Sequence, residues 1–151
     1  MPFIDDLQVI KDDYGVKTII DFRIKSNPHE KKICHKIGLN YVRLPWSAHL
    51  YNVVNFRYYL RIAIKFVETI IDSDLQPILI HCMHGRERTG VMIGVYRISF
   101  ENVSVKTAVE EMKRFGFKPY LHFDLVLFLH HYKRLIDRYS LQEIIRITES
   151  I

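Results

Sequence analysis

The fold is decided by the stretch Ile78-Leu79-Ile80-His81-Cys82-Met83-His84-Gly85-Arg86-Glu87-Arg88-Thr89-Gly90, which continues directly into Val91-Met92-Ile93-Gly94-Val95-Tyr96. A short apolar run after Pro77 predicts a buried strand, glycine-punctuated polar residues predict a loop, and the apolar periodic segment predicts a helix. Such a loop directs backbone N–H groups at a point just ahead of the helix N-terminus, where the helix dipole favours an anion. The stretch therefore predicts an anion-binding loop.

Two side chains frame this loop. Cys82 opens it and Arg88 closes it, with five residues between them. The field that holds an anion also lowers a thiol pKa, to about 3.5–7.5, so we expect Cys82 to be a thiolate nucleophile at neutral pH. The planar guanidinium of Arg88 suits two phosphoryl oxygens and the charge of a transition state.

The remaining loop residues have expected supporting roles. Gly85 and Gly90 allow tight turns and close approach to the ligand. Thr89 can donate its hydroxyl to the thiolate, which makes sulfur a better leaving group. His81 precedes the nucleophile and could fix the loop through hydrogen bonds. The expected phosphate-binding residues are Met83, His84, Gly85, Arg86, Glu87 and Arg88.

The order His81-Cys82, five residues, then Arg88-Thr89-Gly90 resembles the signature of the cysteine-dependent protein tyrosine phosphatase superfamily, most closely its compact dual-specificity type. The resemblance runs from about residue 14 to about residue 136 and includes the stretches 15–23 and 41–48. It implies hydrolysis of phosphomonoesters through a phosphocysteine intermediate. It also implies that no metal or organic cofactor is required.

The general acid is where the sequence departs from the family pattern. The resemblance implies an aspartic acid in the loop after Pro45, but no Asp or Glu occurs between Pro45 and Glu68. Some related bacterial phosphatases are similar to this chain in carrying a carboxylate just before the loop arginine. Glu87 holds that position and is the first candidate. His49, within the expected acid loop, is the second.

Other interpretations of the same residues stay open. Cys82 could be a small buried hydrophobic residue, Glu87 could be a solvated charge that pairs with Arg86, and His49 could be an ordinary loop histidine. A metal site is a further rival, although its spacing fits no common zinc pattern and leaves the arginine of the loop unexplained. A four-ligand set would be drawn from His81, Cys82, His84, Cys34 and His35.

The periodic segments predict an α/β fold, with a central, mostly parallel sheet of about four strands flanked by helices on both faces. The site would lie at the carboxyl end of a strand. The chain would form one phosphatase-like catalytic domain over residues 1–151, without the family's usual first strands. We expect strands at 17–22, at 40–44 and from Ile78, and helices at 3–13, 52–72, 91–100, 105–115, 121–139 and 141–148. A further short helix is expected after the turn at 26–32, with Ile33, Cys34 and Ile37 on its apolar face and its end at Gly38. The helix at 91–100 should be buried all round, and Ser104 should cap the helix after it.

Composition limits the cellular setting. The 151 residues suit a single domain, with 48% apolar and 26% charged residues. Two cysteines make no disulfide framework, and a nucleophilic Cys82 requires a reducing compartment, so a cytoplasmic location is expected. No run approaches the roughly 18 apolar residues of a membrane span. Cys34 is expected in the core, or alternatively as a redox partner of Cys82.

Charge points to the partners. The 22 basic residues exceed the 17 acidic ones and give a net charge of +5, which favours anionic ligands. The basic residues are scattered, so nucleic acid is not expected. A phosphorylated protein is the favoured substrate. His84 and Arg86 add loop charge that would also suit a phosphoinositide or inositol polyphosphate. Phosphate, sulfate or vanadate would occupy the loop. An inactive phosphate-binding module is the remaining alternative.

Overall fold

The computed structural model describes residues 6–25, 27–48 and 55–149 of the chain. Within these ranges, seven α-helices and three β-strands follow one another along the chain. The strands are β1 (Thr18–Asp21), β2 (Asn40–Arg43) and β3 (Ile78–His81). The helices are α1 (Asp6–Tyr14), α2 (Pro28–Lys36), α3 (Phe56–Ile71), α4 (Glu87–Phe100), α5 (Val105–Arg114), α6 (Phe123–Ile136) and α7 (Leu141–Glu149). None of the described helices is long and apolar enough to cross a bilayer.

The strands form a parallel sheet in the order β2-β1-β3. Thr18 at the start of β1 pairs with Asn40 on one side and Ile78 on the other, so the three carboxyl ends lie at one edge. The described part of the sheet has three strands where about four were expected. The described residues ahead of β1 form α1, as predicted from apolar side chains that recur at helical spacing, and this helix buries Leu7.

Alternation along β1 separates two cores. Ile20 packs with Phe66, Phe128 and the other apolar residues of α3, α4, α5, α6 and α7 in the larger core. Ile19 points to the opposite face and packs with Leu7 and Cys34 from α1 and α2. The predicted α/β architecture, with helices on both faces of a parallel sheet, is confirmed.

Helix boundaries follow local capping chemistry. The Asn27 side chain accepts hydrogen bonds from the amides of His29 and Glu30 at the start of α2. The Ser104 hydroxyl accepts a hydrogen bond from the Thr107 amide at 3.1 Å, which confirms the predicted cap of α5. Each such cap contributes about 1 kcal/mol.

Helix α4 differs from its prediction in two ways. It begins at Glu87, inside the polar loop sequence, so the arginine of the loop lies in its first turn. It is also not buried all round, because Tyr96 is 40% exposed and Phe100 is 43% exposed. Arg97 pairs on this outer side with Glu101 at 2.9 Å and with Glu111 at 3.5 Å. The helix contacts β3, α3, α5 and α6, which leaves one stripe of its surface open.

Candidate active site

The loop between β3 and α4 lies at the carboxyl edge of the sheet. Its first residue, Cys82, is 1% exposed and packs with the larger core. The Gly85 amide donates a hydrogen bond to the Cys82 Sγ at 3.3 Å. Gly85 has a φ of +72°, in the left-handed region that side chains disfavour, although a Cβ there would meet no atom within 4 Å. Backbone conformation is therefore what requires glycine at this position.

The loop lowers the pKa of the Cys82 thiol. Burial alone would raise the pKa of Cys82, but hydrogen bonds from the Thr89 hydroxyl and amide and from the His84 and Gly85 amides outweigh it. The net result is a pKa of Cys82 below the ordinary 9.0. Because these donors favour the charged form, they make the Cys82 thiol more acidic than an ordinary cysteine.

Arg88 lies in the first turn of α4 and reaches back to the sheet. Its Nη1 donates a hydrogen bond to the Phe22 carbonyl oxygen, just beyond β1, at 3.3 Å. The predicted turn role of Gly90 is wrong, because Gly90 lies within α4 without a positive φ. It serves close packing instead, since a Cβ there would lie 3.4 Å from the Met112 side chain.

A cleft of about 360 Å³ opens beside the loop. Most of the expected phosphate-binding residues line it, whereas Gly85 faces a neighbouring cavity. The lining residues are Ile24, Ser47, Ala48, Met83, His84, Arg86, Glu87 and Arg88. A lining that combines basic and apolar side chains suits an ester that joins a phosphate to a larger group.

Glu87 lines this cleft and lies between two basic side chains, Arg86 and His122. Its Oε1 lies 3.7 Å from the Arg86 Nε and 3.8 Å from the His122 Nε2, and its side chain is 20% exposed. The pairing with Arg86 was the alternative considered from the sequence. His122 is a residue that the sequence did not single out. It is buried just before α6 and stacks on Phe117, with ring centroids 5.7 Å apart.

The second candidate acid, His49, lies outside the described residues. The segment leading to it is fixed by α3, since Tyr59 donates its hydroxyl to the Ser47 carbonyl oxygen at 2.9 Å. Tyr58 donates in the same way to the Pro45 carbonyl oxygen at 3.1 Å. Ser47 lines the cleft. The loop expected to carry the acid therefore starts beside the anion loop.

A buried network of charged side chains stabilises the carboxyl edge of the sheet, where the anion loop begins. The Arg23 guanidinium donates to Asp21 at 2.8 Å and also pairs with Glu30. Tyr41 donates its hydroxyl to Asp21 at 2.7 Å. Burial opposes ionisation of Asp21, but the bonds from Arg23 and Tyr41 lower the pKa of its carboxyl overall. Partnered in this way, the buried charges hold the ends of β1 and β2 together.

His81 lies between this network and Cys82. Its Nε2 lies 2.9 Å from the Glu30 Oε1, and its Nδ1 lies 3.3 Å from the Cys82 carbonyl oxygen. A loop-fixing role was predicted for His81, but no pattern in the sequence indicated Glu30 as its partner. Glu30 is 2% exposed. Its burial could not be predicted, because Glu30 lies among lysines in the sequence of α2 and shows no apolar periodicity.

The structure separates the residues of the rival metal site. Cys34 packs with Ile19 on one face of the sheet, whereas Cys82 packs with Ile20 on the other. The candidate ligands near Cys34 and those near Cys82 therefore do not come together in one metal site. Asp21, Glu30 and His81 do lie within 4.8 Å of one another. The Arg23 guanidinium already pairs with both carboxylates, so a cation fills this cluster.

A thiol, an arginine and convergent loop amides at the carboxyl end of a parallel strand define the class of cysteine-dependent phosphatase domains. The model of the dual specificity phosphatase catalytic domain matches residues 4–134. The chain belongs to this family.

Two curated relatives extend the comparison. The dual specificity protein phosphatase TpbA of Pseudomonas aeruginosa (strain UCBPP-PA14) is 46% identical over 41 residues, which are 27% of this chain and 19% of TpbA. The inositol diphosphatase SIW14 of Saccharomyces cerevisiae is 35% identical over 83 residues, 55% of this chain and 26% of SIW14. The matched segments thus span about a fifth to a quarter of these relatives.

Solved structures show the same fold. The core catalytic domain of SIW14 from S. cerevisiae, crystallised with citrate, superposes with a TM-score of 0.70 at 24% identity. The superposition covers 99% of this chain and 83% of that one. The arrangement of sheet, loop and helices is therefore that of a known phosphatase core.

Proposed function

We propose that this chain hydrolyses phosphomonoesters with Cys82 as the nucleophile, acting as a protein tyrosine or dual-specificity phosphatase. The observation that carries the proposal is a buried thiol whose pKa is lowered by loop amides, in the same loop that leads into Arg88. Family membership over residues 4–134 supports it. A thiolate has to stay reduced, which favours the cytoplasm as its location.

In the first step, the Cys82 thiolate attacks phosphorus and forms a sulfur–phosphorus bond. The bond from phosphorus to the leaving oxygen breaks, and a protonated Glu87 gives its proton to that oxygen. The loop amides hold the equatorial oxygens, and Arg88 leaves the Phe22 carbonyl to bind two of them.

In the second step, water attacks the phosphorus of the phosphocysteine. Glu87, now a carboxylate, takes the proton from this water, and the sulfur–phosphorus bond breaks to release phosphate. The buried Thr89 hydroxyl stabilises the departing thiolate, as it stabilises the free one. No metal or organic cofactor is needed for either step.

An inositol polyphosphate or phosphoinositide is the second candidate substrate. His84 is exposed, and the Arg86 side chain is 42% exposed at the cleft, so charges beyond Arg88 are available for further phosphates. The similarity to the inositol diphosphatase SIW14 supports this candidate. An inactive phosphate-binding module is the third candidate, but a mere binder has no need of a thiol with a lowered pKa.

A substrate panel tests the proposal. Purified protein should hydrolyse an activated aryl phosphate with inhibition by vanadate, and Cys82→Ser should lower turnover at least about 10⁴-fold. Cys34→Ser is the matched control and should retain activity. Turnover of phosphotyrosine peptides, phosphothreonine peptides, phosphoinositides and inositol polyphosphates then ranks the substrates. Phosphate binding without turnover would contradict the proposal and favour the inactive module.

A further inference from the structure

Four large apolar side chains are exposed between the end of α5 and the first residue of α6. Their exposed fractions are 70% for Phe115, 75% for Tyr120, 62% for Leu121 and 69% for Phe123. We call these four residues the apolar rim. Side chains of this size present a few hundred square ångströms of apolar surface within nine residues of chain, which marks an interaction surface.

The rim borders the catalytic cleft. Within the same connection, Gly116 lies against Arg86 of the anion loop, so closely that a Cβ on Gly116 would meet the Arg86 Cδ at 3.0 Å. His122 lies 3.8 Å from Glu87. Ile24 and Met83, which line the cleft, are also exposed, at 60% and 48%. Exposed apolar side chains therefore flank the cleft and share its surface.

An apolar cavity of about 260 Å³ joins the rim to the anion loop. Gly85 and Thr89 line one part of it, and Phe115 and Met112 line another. It lies beside Gly90 and Gly94, where the absence of side chains leaves room along α4. A ligand with an apolar portion could therefore be held next to the reacting sulfur.

Basic residues accompany the rim. Arg114, the last residue of α5, and Lys118 on the connection are both exposed, whereas the neighbouring Lys113 already pairs with Glu110 at 3.0 Å. The whole chain has a net charge of +5. Aromatic and leucine side chains flanked by basic ones are the pattern of segments that enter the headgroup region of anionic bilayers.

We propose that the apolar rim docks this domain on an anionic lipid bilayer, with Arg114 and Lys118 against lipid phosphates. Docking holds the cleft at the level of the headgroups, so bilayer-borne phosphomonoesters reach Cys82 without leaving the membrane. The use of such lipids as substrates rests on the proposed phosphatase activity, whereas the docking itself does not. A bilayer suits this rim better than a protein partner, because exposed basic side chains, Arg114 and Lys118, accompany its exposed aromatic and leucine side chains.

Vesicle co-sedimentation tests the docking. The full chain should bind vesicles of phosphatidylcholine and phosphatidylserine at about 7 to 3 roughly 30-fold more tightly than phosphatidylcholine alone, with the difference falling as salt is raised. Tyr120→Ser/Leu121→Ser should weaken binding about tenfold or more. Arg114→Ala/Lys118→Ala should remove most of the preference for phosphatidylserine. Tyr14→Ser, at 73% exposure on α1, is the matched control and should bind like the unaltered chain.

Activity is measured separately, so that failure of the docking and failure of the proposed function are distinguishable. The rim variants should hydrolyse a soluble aryl phosphate at the unaltered rate, which also shows that they fold. Equal binding by the rim variants and the unaltered chain would overturn the docking. So would association of the chain with itself that Tyr120→Ser/Leu121→Ser abolishes, because the rim would then be an interface between copies. Absence of aryl phosphate hydrolysis would overturn only the proposed function.

Discussion

The two cysteines of this chain are equally buried and have opposite acidities. Cys34 is 0% exposed and Cys82 is 1% exposed. Burial and the charge of Glu30 raise the pKa of Cys34 to about 11. Burial acts in the same direction on Cys82, but hydrogen bonds from loop residues lower its pKa below 9.0. The comparison shows that the difference in acidity comes from the hydrogen-bond donors and charges around each thiol and not from its depth.

The sheet explains why the two environments differ. Cys34 lies within α2, on the face packed with Leu7 and Leu39, where the neighbouring backbone amides are used by the helix itself. Cys82 lies just past the end of β3, where the chain turns and leaves amides free to point at the sulfur. The redox pairing considered for these cysteines lacks support, because the sheet lies between them.

On the Cys82 side of the comparison, the largest effect is expected from removing the Glu87 carboxylate, which lines the cleft next to the anion loop. Glu87→Gln should lower turnover of an alkyl phosphate about a hundredfold, because a poor leaving group needs the proton. The same variant should lose only a few-fold on an activated aryl phosphate. Steady-state kinetics on both substrates measure this. Equal losses on the two substrates would instead give Glu87 a role in holding the loop and transfer the acid role to His49.

A smaller effect is expected from the hydroxyl that supports the thiolate. Thr89→Val keeps the shape but loses the donor, so the pKa of Cys82 should rise and phosphocysteine hydrolysis should slow about tenfold. Thr89→Ser keeps the donor and should behave like the unaltered chain. Rapid-quench measurement of the phosphoenzyme checks this. Unchanged breakdown of the phosphoenzyme in Thr89→Val would leave the loop amides as the main support of the sulfur.

The smallest effect concerns stability at high pH and leaves activity unchanged. In the unfolded chain Cys34 ionises near 9.0, but in the folded chain its pKa is about 11. Between these values the unfolded state binds fewer protons, so stability falls as pH rises. By pH 11 this loss amounts to about 2 kcal/mol. Denaturation of the unaltered chain and of Cys34→Ala at pH 8 and about pH 11 should show a loss that is larger by this amount in the unaltered chain, because Tyr41 and Tyr132, whose pKa values are also raised, lower the stability of both proteins.

Much of the fold could be predicted because its signals are local. The apolar runs and glycines from Ile78 to Gly90 predict a strand, a loop and a helix. The side chain of Ser104 predicts a helix cap. The exact start of α4 could not be predicted, because Glu87 and Arg88 suit either a polar loop or a first helical turn. The pattern indicated three strands, at 17–22, at 40–44 and from Ile78, and these are the strands of the described sheet, whereas no segment had indicated the fourth strand that was also expected.

The site was predictable only where its residues are neighbours in sequence. Cys82 and Arg88 belong to one motif, but Glu30 and His122 reach the site from distant segments and carry no local pattern. Their partners, His81 and Glu87, were identified without them. The catalytic roles of these residues remain predictions, as does that of His49.

The most direct test is a titration of each thiol alone. In Cys34→Ala, the thiolate absorbance or alkylation rate of Cys82 should rise with a midpoint clearly below 9.0. In Cys82→Ala, the remaining Cys34 should titrate near 11. A Cys82 midpoint at or above 9.0 would contradict the account, because the loop would then fail to stabilise the anion on which the proposed reaction depends.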